Sequence, residues 1–375
     1  MAMKMGQKKN REAEDILSTS TSMLIILSVV LTILFLMMKK YLLIWFGASP
    51  ETFPYANTYL TIYTLGTVFA MMALGLNYFI SCQGFASVAM FSVFIGAVSN
   101  IILDGVFIFG FGMGIGGAAV ATVISQMFSF LWIIAFLTGK RVTIGIHRHK
   151  INKDVSKKII SLGLPPFLIL ATDSIILILM NVVLQKFGGQ KQGDLLISCN
   201  AIVQSFMLLI SGPMIGLTGG TQAVISYNFG AENKGRVKEA AKYVMILSVG
   251  YAVIMFILSR IVPQYFVMVF TDNLETISMS VWGIKAYTLG IIPMGVQYAA
   301  VDGTTALGKT KQALSLSIFR KLVFIASLIF LPTLFMAQTT FYAETIADTF
   351  CGIITGTIYY FTLKKYMTKG LANRF

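Results

Sequence analysis

The 375-residue chain is 56% hydrophobic and only 12% charged, with a mean hydropathy of +0.79. This excludes an ordinary soluble domain, because such domains carry about 25% charged residues. The net charge of +14 lies in short clusters between apolar runs, which is typical of membrane-protein loops and argues against nucleic-acid binding. The three cysteines form no CxxC pair and both histidines lie in one loop, so neither a disulfide framework, nor a metal site, nor a buried histidine relay is expected.

Ten apolar segments are each long enough to cross about 30 Å of hydrocarbon, and helices satisfy their own backbone there. The first segment is too long for a signal-peptide core and follows acidic residues, so we expect it to be retained. The predicted spans are 16–38, 55–81, 87–109, 115–138, 158–186, 194–226, 237–268, 277–304, 312–335 and 343–363. The pattern predicts an all-α polytopic protein embedded in a lipid bilayer.

Lysine and arginine are distributed unevenly between alternate connections. One set of connections holds 23 basic residues, including those of 309–321, and the other holds 5; the last basic residue, Lys285, lies inside a segment. The bias predicts that the N- and C-termini are both cytoplasmic. We expect the membrane to be the plasma (inner) membrane.

A repeat with one fixed spacing of 224 residues runs through the chain. The matched positions are Gly6 with Gly230, "YTLG" at 63–66 with "YTLG" at 287–290, and Gly84 with Gly308. Fixed-period similarity indicates a duplicated architecture, and in membrane proteins duplicated halves are typical of transporters. Residues 161–229 of the second half have almost no counterpart in the first half. We therefore expect four helices followed by six, which is about 10 of the 12 helices that two complete halves would contain.

The loop at 140–158 is the longest and most basic connection. It divides the chain into a predicted incomplete N-terminal bundle at 1–140, a cytoplasmic linker at 141–157 and a six-helix C-terminal bundle at 158–375.

An ionisable residue at membrane depth is costly and is therefore a functional candidate. Asp173 lies in the middle of an apolar segment, not far from the helix-breaking pair Pro165 and Pro166. Its carboxylate can bind a cation or proton near a hinge, or it can be satisfied by neighbouring hydroxyls as a link between helices.

Other acidic residues favour structural roles. We expect Asp302 to pair with Lys309 at the cytoplasmic interface, and Asp104 and Asp348 to act as caps or loop anchors near the outside. Lys285 either extends its ammonium towards water or pairs with a carboxylate across a bundle.

Polar side chains inside the second half are candidates to line a cavity, although most such residues only hydrogen-bond between helices. Asn200 and Gln204 are spaced i,i+4 and so share a helix face. The predicted cavity-lining residues are Asn181, Asn200, Gln204, Gln222 and Lys285. The glycine run at 110–117 lacks the GK[ST] of a phosphate loop, and no hydrolase constellation is present, so we do not expect an enzyme.

Four motifs together resemble the multidrug and toxic compound extrusion (MATE) family. They are "NIILDGVFIFGFGMGIGGAAVATVISQ" at 100–126, "LGLPPF" at 162–167, "SYNFGAENKGRVKEA" at 226–240 and "ALGKTKQALSLSIFRK" at 306–321. Three positions depart from the pattern of that family: Ser81 stands where arginine is usual, and Gly105 and Glu344 stand where proline is usual.

The resemblance implies a two-bundle helical fold and an antiporter that is coupled to H⁺ or Na⁺. Such a protein exports organic cations, drugs and other small amphiphilic substrates by alternating access, uses no cofactor beyond the coupling ion, and is expected to be a monomer. It also implies that Asp173 is a cation-coupling carboxylate. A lipid-linked or polysaccharide flippase of the related superfamily and a non-transporting truncated remnant stay open as alternatives.

Overall fold

Long apolar helices form almost all of the computed structural model, which describes residues 1–45, 50–146 and 152–369. No strand occurs within these ranges. The helices are α1 (Ala2–Gly6), α2 (Asn10–Trp45), α3 (Phe53–Leu65), α4 (Thr67–Cys82), α5 (Ala86–Asp104), α6 (Gly114–Leu137), α7 (Lys153–Gly189), α8 (Gln192–Gly230), α9 (Lys234–Ile261), α10 (Pro263–Met268), α11 (Leu274–Tyr287), α12 (Ile291–Ala306), α13 (Thr310–Leu334) and α14 (Tyr342–Lys369). A π-helical turn, Gly105–Gly110, extends α5.

Eight helical spans in the described part of the chain are long and apolar enough to cross a membrane, and α3 and α4, bent by 51°, form a ninth. The expected tenth span, 277–304, is divided into α11 and α12 by the 3₁₀ turn Thr288–Gly290, and each piece is too short to cross alone. The predicted all-α membrane fold is therefore confirmed, with two of its ten predicted spans, 55–81 and 277–304, each divided into two helices.

Contacts along the chain define two compact units, Met1–Ile160 and Ser161–Phe375. Helix α7 already begins at Lys153, so the last residues of the predicted linker are helical. Residues 147–151 of that linker lie outside the described residues. The predicted limits of the bundles, at 140 and 158, stay predictions.

The 224-residue repeat is present in the backbone as well as in the sequence. Helices start at matched positions, Asn10 and Lys234 or Ala86 and Thr310, and α4 and α12 end at the matched Cys82 and Ala306. Left-handed turn residues also recur: Lys8 (φ 58°) matches Glu232 (φ 60°), and Gly84 (φ 90°) matches Gly308 (φ 76°). The two units therefore reuse the same turn conformations at the same repeat positions, as a duplicated fold requires.

Both copies of "YTLG" mark a helix break, at which the glycine allows close packing of another helix. A Cβ atom on Gly66 would lie 2.4 Å from Val123 of α6, and one on Gly290 would lie 3.0 Å from the carbonyl oxygen of Thr345 in α14. A residue with a side chain cannot fit either contact without displacing its neighbour. Glycine at this repeat position therefore lets another helix approach the break in each unit.

Close helix packing in the second unit depends on small residues. Gly352 and Gly356 of α14 are spaced i,i+4 and face α12, where added Cβ atoms would lie 2.4 Å from the Pro293 carbonyl oxygen and 2.7 Å from Val296. This is the small-residue packing by which membrane helices approach each other. Many large apolar side chains remain exposed on the outside of the spans, as a lipid-facing surface requires; examples are Ile26, Val30, Phe109, Ile254 and Phe361.

Candidate functional site

Three of the predicted cavity-lining amides form one hydrogen-bonded chain in the second unit. Asn200 Nδ2 donates to Asn181 Oδ1 over 3.1 Å, and Gln204 Nε2 lies 3.4 Å from Asn200 Oδ1 and donates to Tyr287 Oη over 3.1 Å. Helix α8 supplies both middle residues from successive turns, and Asn200 is buried. The chain joins α7, α8 and the end of α11, immediately before the break at Thr288–Gly290.

Asp173 forms an ion pair with Lys321 of α13, whose ammonium also donates to the carbonyl of Ile169, one turn earlier in α7. The two partners differ in environment, because the Lys321 side chain is only 6% exposed whereas that of Asp173 is 57% exposed. The carboxylate is thus accessible while its counter-ion is not.

The placement of Lys321 corrects the sequence analysis, which counted it and Arg320 among cytoplasmic loop residues. Both lie more than two turns inside α13. Without them, the predicted cytoplasmic set falls from 23 basic residues to 21, which leaves the direction of the bias unchanged.

Arg320 is the centre of a second charged cluster, which the sequence analysis missed. Its Nε donates to Asp348 Oδ1 over 2.7 Å and its Nη2 donates to Glu344. Asp348 is 1% exposed, so the expectation of a cap or loop anchor is wrong. Glu344 and Asp348 are one turn apart on α14 and so face the same guanidinium, which holds two carboxylates at once.

Two predicted cavity-lining residues lie apart from these clusters. Lys285 is exposed in the last turn of α11 and forms no ion pair with any residue that the structure describes, in agreement with an ammonium extended outwards. Gln222 is half-buried on α8 and joins none of the hydrogen bonds described here. Both assignments stay predictions.

The break between α11 and α12 is stabilised by polar groups from two other helices. Arg260 of α9 donates to the Lys285 carbonyl over 2.6 Å and to the Thr288 hydroxyl over 2.8 Å. The Thr345 hydroxyl of α14 donates to the Ala286 carbonyl over 2.7 Å. These contacts satisfy backbone groups that an interrupted helix leaves without partners, which explains how the break survives in an apolar surrounding.

Asp302 differs from expectation, whereas the expected cap or anchor role of Asp104 stays a prediction. Asp302 lies near the Thr218 hydroxyl of α8, and the described ion pairs do not include the expected one between Asp302 and Lys309. Asp104 lies at the end of α5, where one carboxylate oxygen is buried without a hydrogen-bond partner among the described residues.

The first unit has a cavity of its own, of about 400 Å³, whose surface is mostly apolar with a few polar side chains. Its polar wall includes Asn77, whose Nδ2 donates to Ser92 Oγ over 2.6 Å, and Ser129, which donates to the Ser92 carbonyl over 2.8 Å. Met71, Leu74 and Val93 supply apolar surface beside them. A cavity of mixed character and this size is within the range of small-molecule sites.

The second unit contains charged side chains inside its membrane spans. The two charged clusters bring five charged groups, three of them carboxylates, inside its spans, where an isolated charge is costly. Among the described residues, no group of three or more histidine, cysteine or acidic side chains is arranged to hold a metal ion. The arrangement can exchange ionic partners at Asp173, and it offers no nucleophile paired with a base.

Comparison of the whole chain with known proteins identifies its family. The MatE family model matches residues 1–106 and 170–331, which is well over half of the chain. The multidrug export protein MepA of Staphylococcus aureus strain MSSA476 is 27% identical over 317 residues, covering 84% of this chain and 69% of the relative. MepA of Staphylococcus haemolyticus strain JCSC1435 is 27% identical over 316 residues, covering 84% and 68%.

Solved structures show the same fold. An outward-facing multidrug resistance MATE family transporter of the MOP superfamily aligns with a TM-score of 0.91 at 20% identity, over 98% of this chain and 82% of the other. A MOP superfamily transporter from Pyrococcus furiosus gives the same TM-score, identity and coverage. These similarities and the family match confirm the predicted fold class and the expectation that the protein is a membrane transporter and not an enzyme. The chain belongs to the MATE family of membrane transporters.

Proposed function

We propose that this transporter exports organic cations and drugs from the cell, driven by inward movement of H⁺ or Na⁺. The relatives at 27% identity are named multidrug export proteins, which supports this substrate class. The observation that carries the coupling is the accessible carboxylate of Asp173, held by a buried ammonium in the middle of a membrane span. Each inward charge would supply about 2.3 kcal/mol per 100 mV of membrane potential.

Coupling would use competition for Asp173. Its carboxylate binds either Lys321 or the coupling ion, because a proton or Na⁺ removes the charge that holds the ammonium. A ligand shifts a conformational equilibrium only if it binds one state better than the other. Exchange of Lys321 for the ion supplies that difference, since the ion pair between α7 and α13 exists only in the ion-free state.

The amide chain, which meets α7 about two turns after Asp173, would line the substrate path. Asn181, Asn200 and Gln204 can each accept or donate hydrogen bonds, which suits chemically varied substrates. Exporting such substrates requires alternating access, in which the path opens to one side of the membrane at a time. Gln222 and Lys285 are further proposed lining residues.

The same proposal places the protein in the plasma (inner) membrane with both termini in the cytoplasm, and as a monomer. The revised bias of 21 basic residues against 5 supports this orientation. Cysteine accessibility in intact cells, with single cysteines introduced at Lys8 and Lys40, tests it: a membrane-impermeant reagent should label position 40 and spare position 8.

Export of a fluorescent dye from cells expressing the chain tests the function. We expect the wild-type chain to export the dye, and we expect export to stop when the gradient of the coupling ion, H⁺ or Na⁺, is collapsed. Asp173→Asn should show no gradient-driven export. Asp154→Asn makes the same chemical change at an exposed site in the first turn of α7 and should retain efflux.

Stability must be separated from coupling in this assay. The double variant Asp173→Asn/Lys321→Met removes both charges and so avoids a buried unpaired ammonium. It should fold and still fail to export. Wild-type efflux in the double variant would remove Asp173 from the mechanism, and absence of efflux from the wild-type chain would favour a flippase or a non-transporting protein.

A further inference from the structure

One oxygen of the Asp348 carboxyl group is buried with no hydrogen-bond partner among the described residues. The other oxygen accepts the Arg320 Nε donor. The charged and titratable groups around Asp348 are Arg320 of α13, Glu344 and Cys351 of α14, Tyr287 of α11 and Tyr298 of α12. Carboxylate oxygens are strong hydrogen-bond acceptors. An ionised Asp348 would therefore hold its oxygen Oδ2 buried, away from water and without a donor, which is unfavourable.

Charge counting points to the same atom. If all groups were ionised, the two clusters would contain Asp173, Glu344 and Asp348 against Arg320 and Lys321, which leaves one surplus negative charge. Lys321 is bonded to Asp173, so the surplus lies in the cluster around Arg320. A buried carboxylate without full compensation is strongly disfavoured and takes up a proton instead.

The position of the proton follows from exposure. Glu344 is 13% exposed and Asp348 only 1%, so removing the charge of Asp348 relieves the larger desolvation. A proton needs only the free lone pair on Oδ2. A metal cation would need several oxygen ligands and would lie beside the positive guanidinium.

We propose that Asp348 is a proton-binding site of the transport cycle, separate from Asp173. This rests on the proposed function and names the proton as one coupling ion. Proton uptake on Oδ2 leaves Arg320 paired with Glu344 in a neutral cluster. Proton release restores a net negative charge among α12, α13 and α14, so the two protonation states favour different arrangements of these helices.

Matched stability measurements test the proposal. Asparagine has the shape of a neutral aspartic acid, so Asp348→Asn should leave the Tm of the purified chain unchanged near neutral pH. Glu344→Gln removes the charge that compensates Arg320 and should lower the Tm. A loss of Tm in Asp348→Asn equal to or larger than that in Glu344→Gln, or failure of Asp348→Asn to fold, would overturn the proposal.

Infrared difference spectroscopy tests proton binding directly and needs no transport. Between alkaline and acidic pH, the reconstituted wild-type chain should gain a protonated-carboxyl C=O band. The band should lie below the frequency of a free carboxylic acid, because a proton on Oδ2 makes Oδ1 the carbonyl oxygen and Oδ1 accepts the Arg320 Nε–H. The band should shift with ¹³C-labelled aspartate, vanish in Asp348→Asn and persist in Asp173→Asn/Lys321→Met. Persistence of the band in Asp348→Asn refutes the proposal, and its presence in a chain that exports nothing separates this site from the proposed function.

Discussion

Removing Asp173 should destabilise the protein far more than removing its partner Lys321. The Lys321 side chain is 6% exposed, so Asp173→Asn leaves a buried ammonium with only the Ile169 carbonyl as a partner. Loss of one partner from a buried pair costs about 3–5 kcal/mol, and the remaining carbonyl places this case at the lower end. Lys321→Met keeps most of the side-chain volume and leaves a carboxylate that is 57% exposed, so it should cost about 1 kcal/mol or less.

The double variant Asp173→Asn/Lys321→Met completes a thermodynamic cycle. It should be about as stable as Lys321→Met alone, so the coupling energy between the two sites equals the cost of Asp173→Asn, about 3 kcal/mol. Denaturant titration or thermal unfolding of the purified chain measures all four stabilities. Equal destabilisation by the two single variants, or simple additivity in the double variant, would refute the asymmetric burial on which the reasoning depends.

Two further predictions concern packing and the amide chain. Gly352→Ala places a Cβ 2.4 Å from the Pro293 carbonyl oxygen and should lower the free energy of unfolding by about 1–3 kcal/mol. Gly250→Ala on α9 has open space around the new Cβ and should raise the free energy of unfolding by about 0.5–1 kcal/mol. If thermal unfolding showed that both variants change stability in the same direction, the packing described for Gly352 would be contradicted. Asn200→Leu should cost about 1–3 kcal/mol because it leaves the Asn181 and Gln204 amides short of partners, while Gln222→Leu should change stability by under about 0.5 kcal/mol in the same assay.

Local sequence patterns predicted most of the helical architecture. The lengths of the apolar segments located nine of the ten spans, because a chain that crosses lipid has few alternatives to a helix. The 224-residue spacing also identified equivalent positions, and the structure has turns and breaks of the same kind at those positions. The division of 277–304 could not be predicted from the local sequence, because no proline precedes Gly290 within that segment. The repeat could only show that 277–304 and the matched segment 55–81 should behave alike, since both contain "YTLG".

The charged clusters were harder to predict because their partners are distant in sequence. Lys321 and Asp173 are 148 residues apart, and Arg320 lies 24 and 28 residues from its two carboxylates. A pair of basic residues at the edge of an apolar run is normally a loop signal, so Arg320 and Lys321 were assigned to the cytoplasm. Two acidic residues spaced i,i+4 in the next apolar segment, Glu344 and Asp348, were the signal that could have revealed a membrane-depth cluster.

The amide candidates show the value and the limit of residue type. Asn200 and Gln204 could be placed on one helix face from their spacing, and both are in the hydrogen-bonded chain. Gln222 has the same chemistry on the same helix but lies outside it. Tertiary packing decides which polar residue meets a partner, and a single helix's pattern does not contain that information.

Reconstitution into proteoliposomes tests the central claim most directly, by following substrate movement and ion movement together. With an imposed H⁺ or Na⁺ gradient as the sole energy source, the wild-type chain should move a cationic dye against its concentration gradient while the ion flows down its own. The folded Asp173→Asn/Lys321→Met variant should move neither. Gradient-driven dye transport in that variant, or dye movement in the wild type that ignores both gradients, would contradict coupling through the charged groups of the second unit.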